Sequence, residues 1–151
     1  MKQYTPANKV LGALAAAMLL AGTAHASPPG LVTVASHNSF DTTVAKLKGA
    51  VAAHGLMILK AFNQQMMLSM VGVHGPQEMT FEIFHPKYGK AIYEADPVDF
   101  LAVPLRILVI DSGGTKIDYQ KPSSVLGEAG LTSLGEELDP VFQAIAEAAA
   151  Q

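Results

Sequence analysis

The stretch Met79-Thr-Phe-Glu-Ile-Phe-His85-Pro-Lys-Tyr-Gly-Lys-Ala-Ile-Tyr-Glu-Ala-Asp-Pro97 decides how the rest of the chain is read. Its first six residues alternate, with Met79, Phe81 and Ile83 on one face and Thr80, Glu82 and Phe84 on the other. That is the period of a β-strand. His85-Pro86 stops the strand, because proline lacks an N–H and holds the residue before it extended. Lys87-Tyr88-Gly89 turns the chain, and a short helix follows, ending near Asp96-Pro97. Nowhere else in the middle of the sequence do aromatic, charged and turn-forming residues crowd together.

Working back from this stretch, Leu56-Met-Ile-Leu-Lys-Ala-Phe62 reads as an apolar, central strand. Asn63-Gln64-Gln65 begins a polar turn, and Met66, Met67 and Met70 lie at helical spacing before Gly72. Val73-His74-Gly75-Pro76 is a loop with two breakers. Further back, Leu31 to Ala35 alternates and is rich in β-branched residues, as a strand is. Ser39 is placed to cap a helix, and Phe40, Val44, Leu47 and Val51 give it one apolar face. His54-Gly55 ends that helix.

Forward of the stretch, Val98 to Ala102 is followed by Pro104 and the β-branched run Leu105 to Ile110. Asp111-Ser-Gly-Gly114 signals a hairpin, with Thr115 to Tyr119 as the returning strand. A short helical piece spans Ser124 to Ala129. Leu138, Val141, Phe142 and Ile145 mark one face of a C-terminal helix placed after Pro140. Strands and helices in this order predict a two-layer α+β domain. It has a mixed β-sheet of about five strands and helices packed on one face.

The N-terminus carries the three parts of a secretory signal peptide in order: basic Lys2 and Lys9, the apolar run Val10 to Ala21, and the small-x-small site Ala24-His25-Ala26. The apolar run is shorter than the roughly 20 residues a spanning helix needs. The expectation is cleavage after Ala26, no stable membrane anchor afterwards, and a periplasmic or secreted domain over residues 27–151. That domain keeps 8 of the 10 basic residues and all 13 acidic ones, a net charge of 8 − 13 = −5. Without a basic stripe it is unsuited to nucleic acid, where affinity rests on neutralising phosphates. With no cysteine, neither disulfides nor thiolate chemistry is open to it.

Three groups of residues resemble the DUF302 domain family, together spanning roughly Leu31 to Leu131. The first is Gly30 to Ser36 with Ser39-Phe40-Asp41-Thr-Thr-Val44, Leu47 and Gly55-Leu56. The second is Ile83-Phe84-His85-Pro86-Lys87-Tyr88-Gly89, similar to the family's aliphatic–Phe–small–Asn-Pro-Lys-x-Gly turn. The third is Val103-Pro104-Leu105-Arg106-Ile107-Leu108-Val109, with the acidic glycine turn and Tyr119. Two departures stand out: His85 occupies the family's Asn position, and the Val71–Glu78 loop is short. The resemblance implies a small α+β fold and a homodimer, and it brings no established chemistry.

Two kinds of site follow from the residues themselves. Phe84, His85, Tyr88, Ile92 and Tyr93 would line a groove for a small apolar ligand, since ligand sites are apolar concavities with few polar groups. Alternatively, Met66, Met70, His74 and His85 offer thioether and imidazole donors suited to copper, although methionines more commonly fill cores or interfaces. Acid–base chemistry among His85, Tyr88, Glu82 and Glu94 is the third option weighed. No nucleophile motif or phosphate-cradling loop accompanies it, and no catalytic residue is assigned. The sequence thus points to an exported ligand-binding or stress-related module more than to an enzyme. Arg106, inside an apolar strand, calls for a carboxylate on a neighbouring strand, Glu82 or Asp118.

Overall fold

The computed structural model describes residues 26–151; the signal-peptide reading of residues 1–26 falls almost wholly outside them. Five strands form one sheet: β1 (Leu31–Ala35), β2 (Met57–Asn63), β3 (Gln77–Phe84), β4 (Leu105–Asp111) and β5 (Thr115–Gln120). Their order is β1-β5-β4-β3-β2, and the two-layer α+β expectation is met.

Every ladder is antiparallel, which corrects the expected mixed sheet. The first helix, α1 (Phe40–Ala53), joins β1 to β2, the kind of connection that often places parallel strands side by side. Here those two strands occupy opposite edges, so α1 crosses beneath the whole sheet and the hairpin strands fill the space between them.

The covered face follows directly from the alternation. Phe81 and Ile83 of β3, Ile107 and Val109 of β4 and Ile117 of β5 are all at most 2% exposed. Against them pack Leu47 and Val51 of α1, with Phe142 and Ile145 of the C-terminal helix α5 (Thr132–Ala150). Each such side chain contributes about 1.5–3 kcal/mol through burial. Helix α1 starts where the sequence places it: the Ser39 hydroxyl accepts from the Thr42 N–H at 3.4 Å.

The last helix is longer than expected. It begins at Thr132, eight residues before Pro140, and keeps the proline inside. Two contacts hold its first half. Gly135 lies so close to α4 (Pro122–Glu128) that a Cβ there would run into the Ser123 backbone. The Asp139 carboxylate accepts from the Ser123 N–H at 2.9 Å and from its hydroxyl at 2.6 Å, capping a helix whose own Lys121 N-cap supplies no side-chain bond. Pro140 faces solvent, where water can serve the carbonyl that proline leaves unpaired. At the other end of α5, the Ala150 carbonyl accepts from the His37 N–H at 2.9 Å. Buried Thr43 stands beside it, its hydroxyl 2.7 Å from that of Ser36.

Candidate functional site

Between β3 and β4 the chain makes an excursion through α3 (Pro86–Ala95) and the 3-10 helix Pro97–Ala102. These two elements pack chiefly against each other, across the end of the sheet. The start of α3 is built by His85. Its backbone is extended, its Nδ1 accepts from the Lys87 N–H at 2.9 Å, and Pro86 supplies the first helical position. Histidine here does the capping work of an asparagine, and an Nδ1 that accepts leaves Nε2 as the N–H donor. The ring also lies 5.2 Å from that of Tyr88.

Phe84 sits under α3 at Gly89, where a Cβ would come within 2.5 Å of the phenyl ring. The glycine that looked like a turn signal therefore stands inside the helix, and close approach is what requires it. One turn on, Ile92 is 1% exposed and anchors α3 to the body. Beneath this contact is a small apolar cavity of about 20 Å³. Phe84, His85, Tyr88 and Ile92 line it, four of the five residues singled out for a ligand. Leu126, Leu138 and Phe142 form part of its opposite wall. Tyr93 lies elsewhere, 64% exposed on the outer side of α3. The sequence reading missed the opposite wall: the apolar stripe of α5 was legible, but what it would face was not.

The methionine and histidine donors are not gathered. Met66 and His74 share a polar groove of about 280 Å³ with Gln65 and Ser69. Met70 does not line that groove and is 79% exposed. His85 follows the far end of β3, an eight-residue strand that spans roughly 24 Å at about 3.4 Å per residue. Among the described residues no three His, Asp or Glu side chains come together as a metal site. The acid–base candidates also disperse. Glu82 pairs with Arg106 at 3.6 Å, and Glu94 pairs with Lys90 at 3.5 Å on exposed α3. Arg106 thus has one of the two partners expected for it.

Among the described residues one titratable group is clearly perturbed. Burial pushes the Tyr119 phenol up, and the Asp139 and Glu147 carboxylates add to the shift. Its ring packs on Phe142, 5.9 Å between centroids, inside the core.

Comparison with known proteins identifies the fold. No match was found among curated proteins. The crystal structure of an uncharacterized conserved DUF302 protein from Bacillus stearothermophilus superposes with a TM-score of 0.74 at 18% identity, covering 80% of this chain and 98% of that one. At that identity the likeness speaks for the fold. The model of the family described as "Domain of unknown function DUF302" matches residues 32–151. The strand, capped turn and packed helix built around His85 lie within that match, and the chain belongs to the DUF302 family.

Proposed function

We propose that the protein is an exported binding module for a small apolar ligand, with α3 and the 3-10 helix acting as a lid over the cavity. The observation that supports this is convergence. Four residues chosen from sequence for their aromatic and polar mixture line one cavity, and His85 and Tyr88 are the polar groups beside an otherwise apolar wall. That is the composition of a ligand site.

In this arrangement the cavity has room for about one water at most, far below the roughly 300 Å³ of a usual ligand site. Binding therefore requires the lid to lift. The lid is suited to it: it is tied down mainly by Ile92 and the Gly89–Phe84 contact, and its two elements hold chiefly to each other. Copper binding through Met66, Met70, His74 and His85 is the weaker reading, because only Met66 and His74 share a groove.

Titration with N-phenyl-1-naphthylamine, which fluoresces in apolar surroundings, tests the proposal. Saturable fluorescence is expected, abolished by Ile92→Phe or Leu134→Phe, which fill the cavity, and retained in Met70→Ser. Circular dichroism checks that the filled variants fold. No signal in the wild type, or a signal that persists in both filled variants, would overturn the reading.

A further inference from the structure

A groove between the 3-10 helix and α4 is separate from the cavity beneath α3, and the two share no lining residue. Its volume is about 440 Å³, inside the roughly 300–1,000 Å³ of small-molecule sites. Val98, Asp99 and Leu101 line it from the 3-10 helix, Val125 and Glu128 from α4, and Arg106 from β4. Arg106 and Val125 also border a smaller hollow of about 70 Å³, so the guanidinium stands at the neck between the two. Arg106 belongs to the open face of the sheet, the side opposite its buried neighbour Ile107.

Both signs of charge meet this groove without meeting each other. Among the described residues the Arg106 guanidinium has one ion pair, with Glu82 beside it in the register, at 3.6 Å. That is longer than the roughly 2.7–2.9 Å of a charge-assisted hydrogen bond, and it leaves donors of the guanidinium fork open to a ligand. Asp99 is half-buried, and its carboxylate, like that of Glu128, enters no ion pair among the described residues. Neither carboxylate therefore comes within 4.0 Å of the Arg106 nitrogens. Between the charges lies aliphatic surface: Val98 and Leu101 are 60% and 89% exposed. The groove beside α2 (Gln64–Ser69) lacks this combination, having no Asp, Glu, Lys or Arg on its walls.

We propose that this groove binds a short zwitterionic peptide with aliphatic side chains. The ligand carboxylate takes the Arg106 fork, whose planar donors match it in a bidentate way. The ligand ammonium takes Asp99 and Glu128, and the side chains cover Val98, Leu101 and Val125. Other classes fit less of the lining. An apolar ligand would desolvate the carboxylates without giving them a partner, which is costly. A simple anion would face Asp99 and Glu128, and a simple cation would face Arg106, in each case with like-charge repulsion. A peptide suits the groove better than a single amino acid because its two charges are set apart by the chain between them. This inference stands whether or not the cavity beneath α3 takes a ligand.

Isothermal titration calorimetry with leucyl-leucine tests it, and saturable binding is expected. Hydrogen bonds to charged groups are each worth enough that Arg106→Gln and Asp99→Asn should weaken binding by about tenfold. Blocked peptides assign the ends. Leucyl-leucinamide, which has no carboxylate, should bind wild type and Arg106→Gln alike. N-acetyl-leucyl-leucine, which has no ammonium, should bind wild type and Asp99→Asn alike. Circular dichroism checks the fold, and Glu128→Gln, at an exposed position of α4, repeats the ammonium test should Asp99→Asn disturb the 3-10 helix. Leu134→Phe, which fills the other cavity, should leave the affinity unchanged. No binding of leucyl-leucine, equal or tighter binding of either blocked peptide, or loss of binding in Leu134→Phe would each overturn the proposal.

Discussion

The two faces of the sheet are written by the same strands and differ in almost every physical respect. Ile107 and Leu108 are neighbours in β4. Ile107 is 0% exposed beneath α1 and α5, whereas Leu108 points outward from a face of paired charges. On the covered face, packing sets stability, because each side chain has lost all its water and gained fixed neighbours. On the open face, charges remain solvated, and ion pairs such as Arg106–Glu82 contribute little to folding. What this contrast teaches is that one strand can bury one row of side chains in the core and leave the next row in water.

The largest expected break in that contrast is Ile107→Ala. Removing a fully buried side chain costs the transfer energy and leaves a cavity, about 2–5 kcal/mol. Arg106→Ala, one residue away, should cost less than about 1 kcal/mol in the folded monomer. Urea unfolding of both variants, at protein concentrations where association is negligible, reads the difference. Equal losses would show that the open face contributes as much to stability as the covered one.

Two glycines sharpen the same point at the next magnitude. Gly135→Ala forces a methyl into the Ser123 backbone, and overpacking of this kind costs about 1–3 kcal/mol. Gly49→Ala, on the solvent side of α1 with nothing within 4 Å of its Cβ position, should stabilise by about 0.5–1 kcal/mol through helix propensity. Thermal unfolding should move in opposite directions for the two variants.

The smallest effect is confined to alkaline solution. The Tyr119 phenol, on the covered face, is pushed up by burial, then by Asp139 and Glu147. Below the ordinary tyrosine range near about pH 10, the folded and unfolded forms hold this proton alike and its full contribution is present. As pH rises from there through the folded value, the unfolded chain gives up the proton first, so stability falls. Tyr119→Phe removes that loss. Its melting temperature should decline less than the wild type's between about pH 9.5 and pH 12; parallel decline would show that Tyr119 ionises freely in the fold.

The legible parts of the fold were those carried by local periodicity. The alternation of Met79 to Phe84 fixed both faces of β3, and the Phe40–Val51 spacing fixed α1. The C-terminal helix was misjudged at Pro140, because proline's local cost is evident in sequence while Gly135 packing on Ser123 and Asp139 capping α4 are not. In the candidate site, His85, Phe84, Tyr88 and Ile92 were found because they lie close together in the chain. Leu126, Leu138 and Phe142 were missed because only the docking of α4 and α5 brings them to the cavity wall. Met66 and Met70 share helical spacing, yet α2 buries neither, so periodicity there meant nothing about the core.

Taken alone, the sequence determined the strands, the first helix, the end of β3 at His85-Pro86 and the absence of thiol chemistry. Each depends on residues within a few positions of one another, where backbone sterics and side-chain period act directly. Only the tertiary structure decided that β1 and β2 take opposite edges, and that the His85–Ile92 segment closes over an apolar cavity. Those outcomes rest on which apolar surfaces meet after the chain has crossed its own sheet. Burial favours that meeting without regard to sequence distance.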